Sequence, residues 1–156
     1  MSDAKAPEPT LLFRPDAFFL KPWRGWGVVR DPKGRTVDRY EARGEGRTGS
    51  RSASVELAFT FESGRVHAVE WDILSDDEGH FYARDLKTGV EARGSQQGGD
   101  FRWTFASPLP DRLGRMFPVT TTATYTLATP TTAFSFAEVR RFGRLLSTFT
   151  TFYEQI

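Results

Sequence analysis

The 156-residue sequence contains no cysteine. That excludes disulfides, thiol nucleophiles and cysteine-ligated metals, and leaves the redox compartment open. Histidine is scarce too: His67 and His80 are the two imidazoles in the chain. No apolar run approaches the roughly 18 residues that a membrane-spanning helix needs, and the polar start Met-Ser-Asp-Ala-Lys-Ala-Pro-Glu-Pro has no signal-peptide core. These two lacks predict a soluble, cytoplasmic protein with no transmembrane segment. Charge of one sign is also missing. With 21 basic and 20 acidic side chains, no global field draws the chain to nucleic acid. Long helical periodicity is absent, and no segment is long enough to cross between parallel strands.

What the chain does have is aromatic residues, at 14% of the total, and a ladder of short alternating runs. Residues 1–10 read as a flexible Pro- and Ala-rich tail, and 11–156 as a single β-barrel domain. Pro15 and Asp16 suit the start of a short helical turn over Asp16–Lys21, whose Phe18 and Phe19 plug one mouth of the barrel. Ten strands are then expected: Gly25–Asp31, Val37–Arg47, Ser52–Glu62, Arg65–Ser75, His80–Asp85, Val90–Gln96, Phe101–Ser107, Thr120–Ala128, Thr132–Arg141 and Leu145–Tyr153. Pro108–Pro118 reads as the longest irregular insertion. Turn glycines between the runs support tight hairpins. The fold class is therefore all-β: one antiparallel up-and-down barrel of about ten strands, wide enough to hold a small ligand.

Alternation names the inward faces. Val55, Leu57, Phe59 and Phe61 share one side, as do Val69, Trp71 and Ile73, and then Phe101, Trp103 and Phe105. Val90, Ala92 and Gly94 offer a small-residue face, and Thr121, Ala123, Tyr125 and Leu127 a mixed one. Small residues opposite large aromatics either leave a cavity or accommodate bulky neighbours, and the alternation does not choose between the two. The last two strands are apolar on both sides, with Phe134 and Phe136 against Ala133 and Val139, and Phe149 against Leu146 and Phe152. Their outer face is expected to be covered by the N-terminal segment or by a second subunit, as a homodimer through the C-terminal strands.

Several short pieces occur in a recognisable order. Phe18-Phe19 precedes Gly25-Trp26-Gly27 and Arg30-Asp31. Then come Glu56-Leu57-Ala58-Phe59-Thr60-Phe61, Ser63-Gly64 and Glu70-Trp71-Asp72-Ile73. Ala83-Arg84-Asp85-Leu86, Gly89, Gly94, Phe101-Arg102-Trp103 and Arg141-Phe142-Gly143 complete the series. Together they resemble an uncharacterised bacterial family, domain of unknown function 3833, whose members often look like small lipoproteins. The resemblance implies a calycin-like barrel and envelope association, and supplies no biochemical activity. The chain departs from that pattern in three places. Val69 and Glu70 stand where an arginine is expected before the strand tryptophan, an acidic pair is missing near Thr124, and there is no lipoprotein cysteine. The Gly-Trp opening is also similar to the start of lipocalins, where a tryptophan closes the barrel floor under a late arginine. That similarity implies a structural pair of Trp26 with Arg140, Arg141 or Arg144, worth about 0.5–2 kcal/mol depending on burial.

Reactive chemistry is sparse. His67 shares the phase of Val69 and Trp71, and a pair with His80 across the Asp76–Gly79 hairpin is one arrangement to look for. A lone histidine as a haem ligand is rarer than a plain strand histidine. No metal site and no cofactor are indicated: HExxH spacing is absent, and Asp76-Asp77-Glu78-Gly79 is too short for a calcium loop. Asp85 follows Phe81 and Ala83 in phase, and a buried carboxylate there requires a partner, with Arg93 and Arg102 as candidates. No nucleophile elbow or catalytic triad is present, and no catalytic residue is assigned. Arg24, Arg30, Arg35, Arg39, Arg43, Arg47 and Arg51 interleave with Asp31, Asp38, Glu41 and Glu45, the pattern of a salt-bridged solvent face rather than a nucleic-acid surface. The sequence thus reads as a non-enzymatic barrel that binds a hydrophobic or amphipathic, lipid-like molecule. Phe59, Phe61, Trp71, Trp103, Phe105 and Tyr125 form the expected wall, and His67 and Asp85 the polar contacts. Two alternatives stand beside it: a filled barrel acting as an accessory or interaction protein, and a haem-binding or isomerase-like barrel.

Overall fold

Ten antiparallel strands close into a barrel in a computed structural model that describes residues 11–110 and 113–156. The tail expected over residues 1–10 lies outside the described residues. A single helical turn, α1 (Pro15–Phe18), precedes β1 (Trp23–Arg30), β2 (Thr36–Thr48), β3 (Ala53–Phe61), β4 (Val66–Ser75) and β5 (His80–Asp85). β6 (Glu91–Gln97), β7 (Asp100–Pro110), β8 (Met116–Thr129), β9 (Thr132–Arg141) and β10 (Arg144–Gln155) follow. Each strand pairs with its neighbours in sequence, and β1 pairs with β10 from Trp23↔Gln155 to Arg30↔Thr148. Closure of this kind leaves no unpaired sheet edge.

Tight turns set the strand lengths. Between β3 and β4 the Gly64 amide donates to the Phe61 carbonyl at 2.9 Å, with Gly64 at φ 94, a conformation that costs glycine nothing. Two sequence expectations change. The helical turn begins at Pro15 rather than Asp16, because proline's fixed φ suits a first helical position. The insertion expected over Pro108–Pro118 is instead an extension of the β7–β8 hairpin, paired from Ala106↔Thr120 to Pro110↔Met116. Pro108 sits opposite Pro118, so two of the missing N–H donors share one rung of the ladder, and Pro110 lies at its end.

The N-terminal segment runs into the barrel rather than over it. Phe13 is fully buried and packs on Phe18, Phe19, Phe101 and Tyr125, with centroids 5.0–6.3 Å apart. Backbone and amide bonds strap the plug to the strand ends. The Phe13 amide donates to Gly99 O at 2.9 Å, Gln96 Nε2 to Phe13 O at 2.7 Å, and Gln155 Nε2 to Phe18 O at 2.9 Å. Above the plug lies a dense aromatic core that includes Trp23, Trp71, Phe81, Phe101, Trp103, Tyr125 and Tyr153. Its small residues make room for rings. A Cβ on Gly94 would lie 2.7 Å from both Phe101 Cζ and Trp103 Cβ, so the Ala92/Gly94 face accommodates bulky neighbours and is not the wall of a void.

Candidate ligand site at the open end of the barrel

Strand direction gives the barrel two unlike ends. The plug occupies the end where β1 begins and β10 finishes. At the other end lie the turns 31–35, 62–65, 86–90 and 142–143. Among the inward positions here, Phe59, Val90, Phe105, Thr121, Ala137 and Phe149 are half-buried, while Val29, Tyr40, Phe61, Val119 and Val139 beside them are sealed. The half-buried side chains line the mouth of the barrel at this end, the cup. Trp71 and Trp103, 5.1 Å apart, make its floor, and Phe105 packs on both. Phe59 stands 5.7 Å from the Tyr40 ring and 6.2 Å from His67, and Phe149 is 6.0 Å from Tyr40.

The polar groups of the interior are mostly satisfied. The Tyr153 hydroxyl bonds Ser135 Oγ at 2.9 Å, and the Tyr40 hydroxyl bonds Thr151 Oγ1. Burial pushes the phenols of Tyr40, Tyr125 and Tyr153 above their ordinary value, so all three stay neutral near neutral pH. Asp85 is only 4% exposed and finds no arginine partner among the described residues. Its carboxylate accepts from Thr88 Oγ1 at 2.6 Å, Lys87 N at 3.1 Å and Glu70 N at 3.2 Å. Burial pushes this carboxyl up, but those three bonds outweigh it and leave the pKa below the ordinary value. The expected partners Arg93 and Arg102 lie on the outward phase of β6 and β7. Asp85 therefore builds the β5–β6 turn, where a carboxylate two and three residues before its donors closes a local ring of bonds.

Other expected site residues separate along the barrel axis. Phe59 and Phe105 line the cup, Trp71 and Trp103 underlie it, and His67 stands exposed at its rim. Phe61 is buried beside Tyr40 under the Arg65 guanidinium, whose carbon is 4.4 Å from the ring. Tyr125 belongs to the plug, in contact with Phe13 and Phe19. The two histidines do not meet: β4 begins with Val66 at the open end, whereas His80 begins β5 at the plugged end and bonds Asp76 at 3.0 Å. Asp76, Glu78 and His80 cluster within 4.8 Å on the exposed hairpin, yet Asp76 already accepts from the amides of Glu78 and His80. Although one edge of the His67 ring is open to solvent, the water lost from around it beside Phe59, with the nearby Arg65 charge second, holds its pKa below the ordinary 6.5.

Trp26 and Arg141 need correction as a structural pair. Trp26 faces outward, 41% exposed, stacked on Phe152 at 6.1 Å with Arg24 above it at 5.3 Å. The tryptophan buried under the barrel is Trp23. Neither Arg140 nor Arg144 reaches Trp26: Arg140 bonds Glu138 and Gly143 O, and Arg144 sits across the rim turn from Arg141. Arg141 shares the inward phase of Val139 at the open rim. Its guanidinium lies 4.0 Å over the Phe117 ring, and its Nε is shielded from water without a hydrogen-bond partner among the described residues. The turn that carries it is unusual. Phe142 has φ 48 and Gly143 φ 78, a primed hairpin turn in which a bulky first residue is strained. Following the β9 alternation one position past Val139 would have placed Arg141 inside.

The outer wall has its own apolar feature. Residues 11–22 do not cover the last strands, and Phe134 and Phe136 remain 47% and 48% exposed. A shallow groove of about 690 Å³ crosses β9, β10, β1, β2 and β3 between Phe134, Phe152 and Trp26 on one side and Arg39 and Glu62 on the other. The arginines of the early strands find acids mostly on other strands, as in Arg24–Glu154, Arg39–Glu62 and Arg47–Glu70. No helix among the described residues is long and apolar enough to cross a membrane.

Solved structures share this architecture. A DUF3598-family protein of unknown function from Nostoc punctiforme superposes with a TM-score of 0.60 at 14% identity, covering 94% of this chain. The chain spans about half the length of that protein, 50%. The S-type phycobiliprotein lyase CPES from Guillardia theta gives a TM-score of 0.60 at 10% identity, with 88% of each chain covered. At such identities the likeness is one of fold. No curated protein matches the chain. The sequence itself is matched over residues 1–155 by the model of the family described as protein of unknown function DUF3833, and the chain belongs to that family.

Proposed function

We propose that the protein binds a small hydrophobic or amphipathic molecule, lipid-like in shape, in the cup at the open end of the barrel. The observation that carries this reading is the asymmetry of one continuous inward face. Phe101 and Trp103 are sealed beneath the cup, whereas Phe105, next along the same face, stays half-buried. Water-accessible aromatics inside a concave wall are the surface that an apolar ligand covers with gain, at about 25 cal/mol per Å² removed from water. Barrels with this fold include the phycobiliprotein lyase, and this supports a binding role by analogy of architecture. No catalytic role is proposed, since the polar groups near the cup are held in structural bonds or stand singly at the rim.

Fluorescence titration with the neutral apolar dye N-phenyl-1-naphthylamine tests the reading. Saturable binding is expected in the native protein. It should be lost when the cup is filled by Ala137→Phe or, independently, by Thr121→Phe, with each variant's fold checked by its thermal transition. Absence of saturable binding, or binding unaltered in both folded variants, would remove the proposal.

A further inference from the structure

Resting on the cup as a ligand site, we infer that its ligand carries an oxyanion headgroup, held at the rim by Arg141, with an aliphatic tail between Phe59, Phe105 and Phe149. Three observations converge on the Arg141 guanidinium. First, its Nε has no acceptor among the described residues and is closed to water, so the two Nη atoms of a permanently charged group are the donors a headgroup reaches. Second, among the described residues no carboxylate lies within ion-pair distance of it. The nearby acid Glu138 is taken by Arg140 at 2.6 Å, as Glu62 faces Arg39 at 3.7 Å and Asp31 faces Arg35 at 2.8 Å. Third, the Arg141 guanidinium carbon sits over the Phe117 ring, 4.0 Å from its centroid, a contact that holds the group without using its hydrogen-bond donors.

Position adds a direction to this chemistry. Arg141 is inward in phase and at the rim, while the half-buried aromatics lie deeper on the same concave wall. A ligand that satisfies both is an amphiphile lying tail-down and head-up. Arg65 and Lys87, whose charges act on His67 at the same rim, add positive potential there, opposed in part by the Asp85 carboxylate, which is turned to Thr88 and the Lys87 and Glu70 amides. An oxyanion gains from that potential, and an ammonium head would meet repulsion. Arginine's planar fork pairs bidentately with carboxylate and phosphate alike, so the shared chemistry is the oxyanion. A free fatty acid and a phosphate-headed lipid are its two sources.

Displacement of N-phenyl-1-naphthylamine by dodecanoate, dodecyl phosphate and dodecanol, all below their critical micelle concentrations, separates the cases. In the native protein at least one of the two anions should displace the dye at a concentration about 10-fold or more below that of dodecanol, the range expected for a hydrogen bond to a charged group. Which anion leads identifies the source. In Arg141→Gln the anion-to-alcohol ratio should fall to about one, and Arg141→Lys should restore part of it. Because the ratio is internal to each variant, a general loss of stability does not imitate the result. Equal displacement by all three in the native protein, or a preference that survives Arg141→Gln, overturns the oxyanion site and leaves the binding cup standing. A protein that takes up neither the dye nor any of the three overturns both.

Discussion

The two ends of this barrel are built from the same strands, the same alternation and the same aromatic residues, and they come out differently. At one end, Phe13, Phe18 and Phe19 descend between the strand termini, and every ring around them is sealed. At the other, the inward rings of Phe59, Phe105 and Phe149 keep contact with water, while Tyr40 and Phe61 beside them are sealed. The difference comes from a segment of about ten residues ahead of β1, tied by its Phe13 and Phe18 carbonyls to Gln96 and Gln155. A closed sheet fixes which residues point inward, and a short covering segment decides which of them form core and which form a binding surface.

The sharpest way to break that contrast is to truncate one ring at each end. Phe13→Ala removes a fully buried ring and is expected to cost about 3–5 kcal/mol in urea denaturation. Phe59→Ala, at a half-buried site, should cost about 1–2 kcal/mol. Equal losses would show that both ends are core. A smaller effect of opposite sign is expected at the rim turn. Phe142 holds a left-handed conformation, φ 48, with its side chain 87% exposed. Phe142→Asn should therefore raise stability by about 0.5–1 kcal/mol, since asparagine tolerates that region, and a lowered thermal midpoint would contradict the strain.

The smallest effect is one of pH. His67 has its folded pKa lowered from 6.5, so folding favours the neutral imidazole. The stability it contributes is present above 6.5 and is lost as pH falls from there through the lowered folded value. Asp85, whose folded pKa is also lowered, loses its contribution in the more acidic carboxylate range, as pH falls through its folded value. Between about pH 7 and pH 5, native protein should therefore lose more stability than His67→Gln. Parallel curves for the two would place the imidazole in bulk water.

Much of this architecture is legible in the chain because alternation and turn glycines are local signals. His80–Asp85 and Thr132–Arg141 coincide with β5 and β9, each bounded by turns that carry a glycine or a proline. The helical plug is legible for a similar reason, through Pro15 and the Phe18-Phe19 pair. What local pattern does not carry is depth along the barrel axis. Tyr125 and Phe105 both read as inward, yet Tyr125 packs against the plug and Phe105 lines the cup. Depth depends on register and shear between strands, which alternation does not encode. Asp85 illustrates a second limit. Its inward phase is correct, but the donors that satisfy it come from the turn two and three residues later, a local solution that a search for distant arginines overlooks. Arg141 illustrates a third. Pairing it with Trp26 by analogy directs attention to the outer wall, whereas the simple alternation of β9 places it at the cup.

The most direct test of the two-ended barrel is residue-resolved NMR during titration with N-phenyl-1-naphthylamine. Saturable shift changes confined to the neighbourhood of Phe59, Phe105, Ala137 and Phe149, with Phe13, Phe19 and Tyr125 silent, are the predicted result. Changes centred instead on Trp26, Phe134 and Phe152 in the outer groove, or none that saturate, would contradict it.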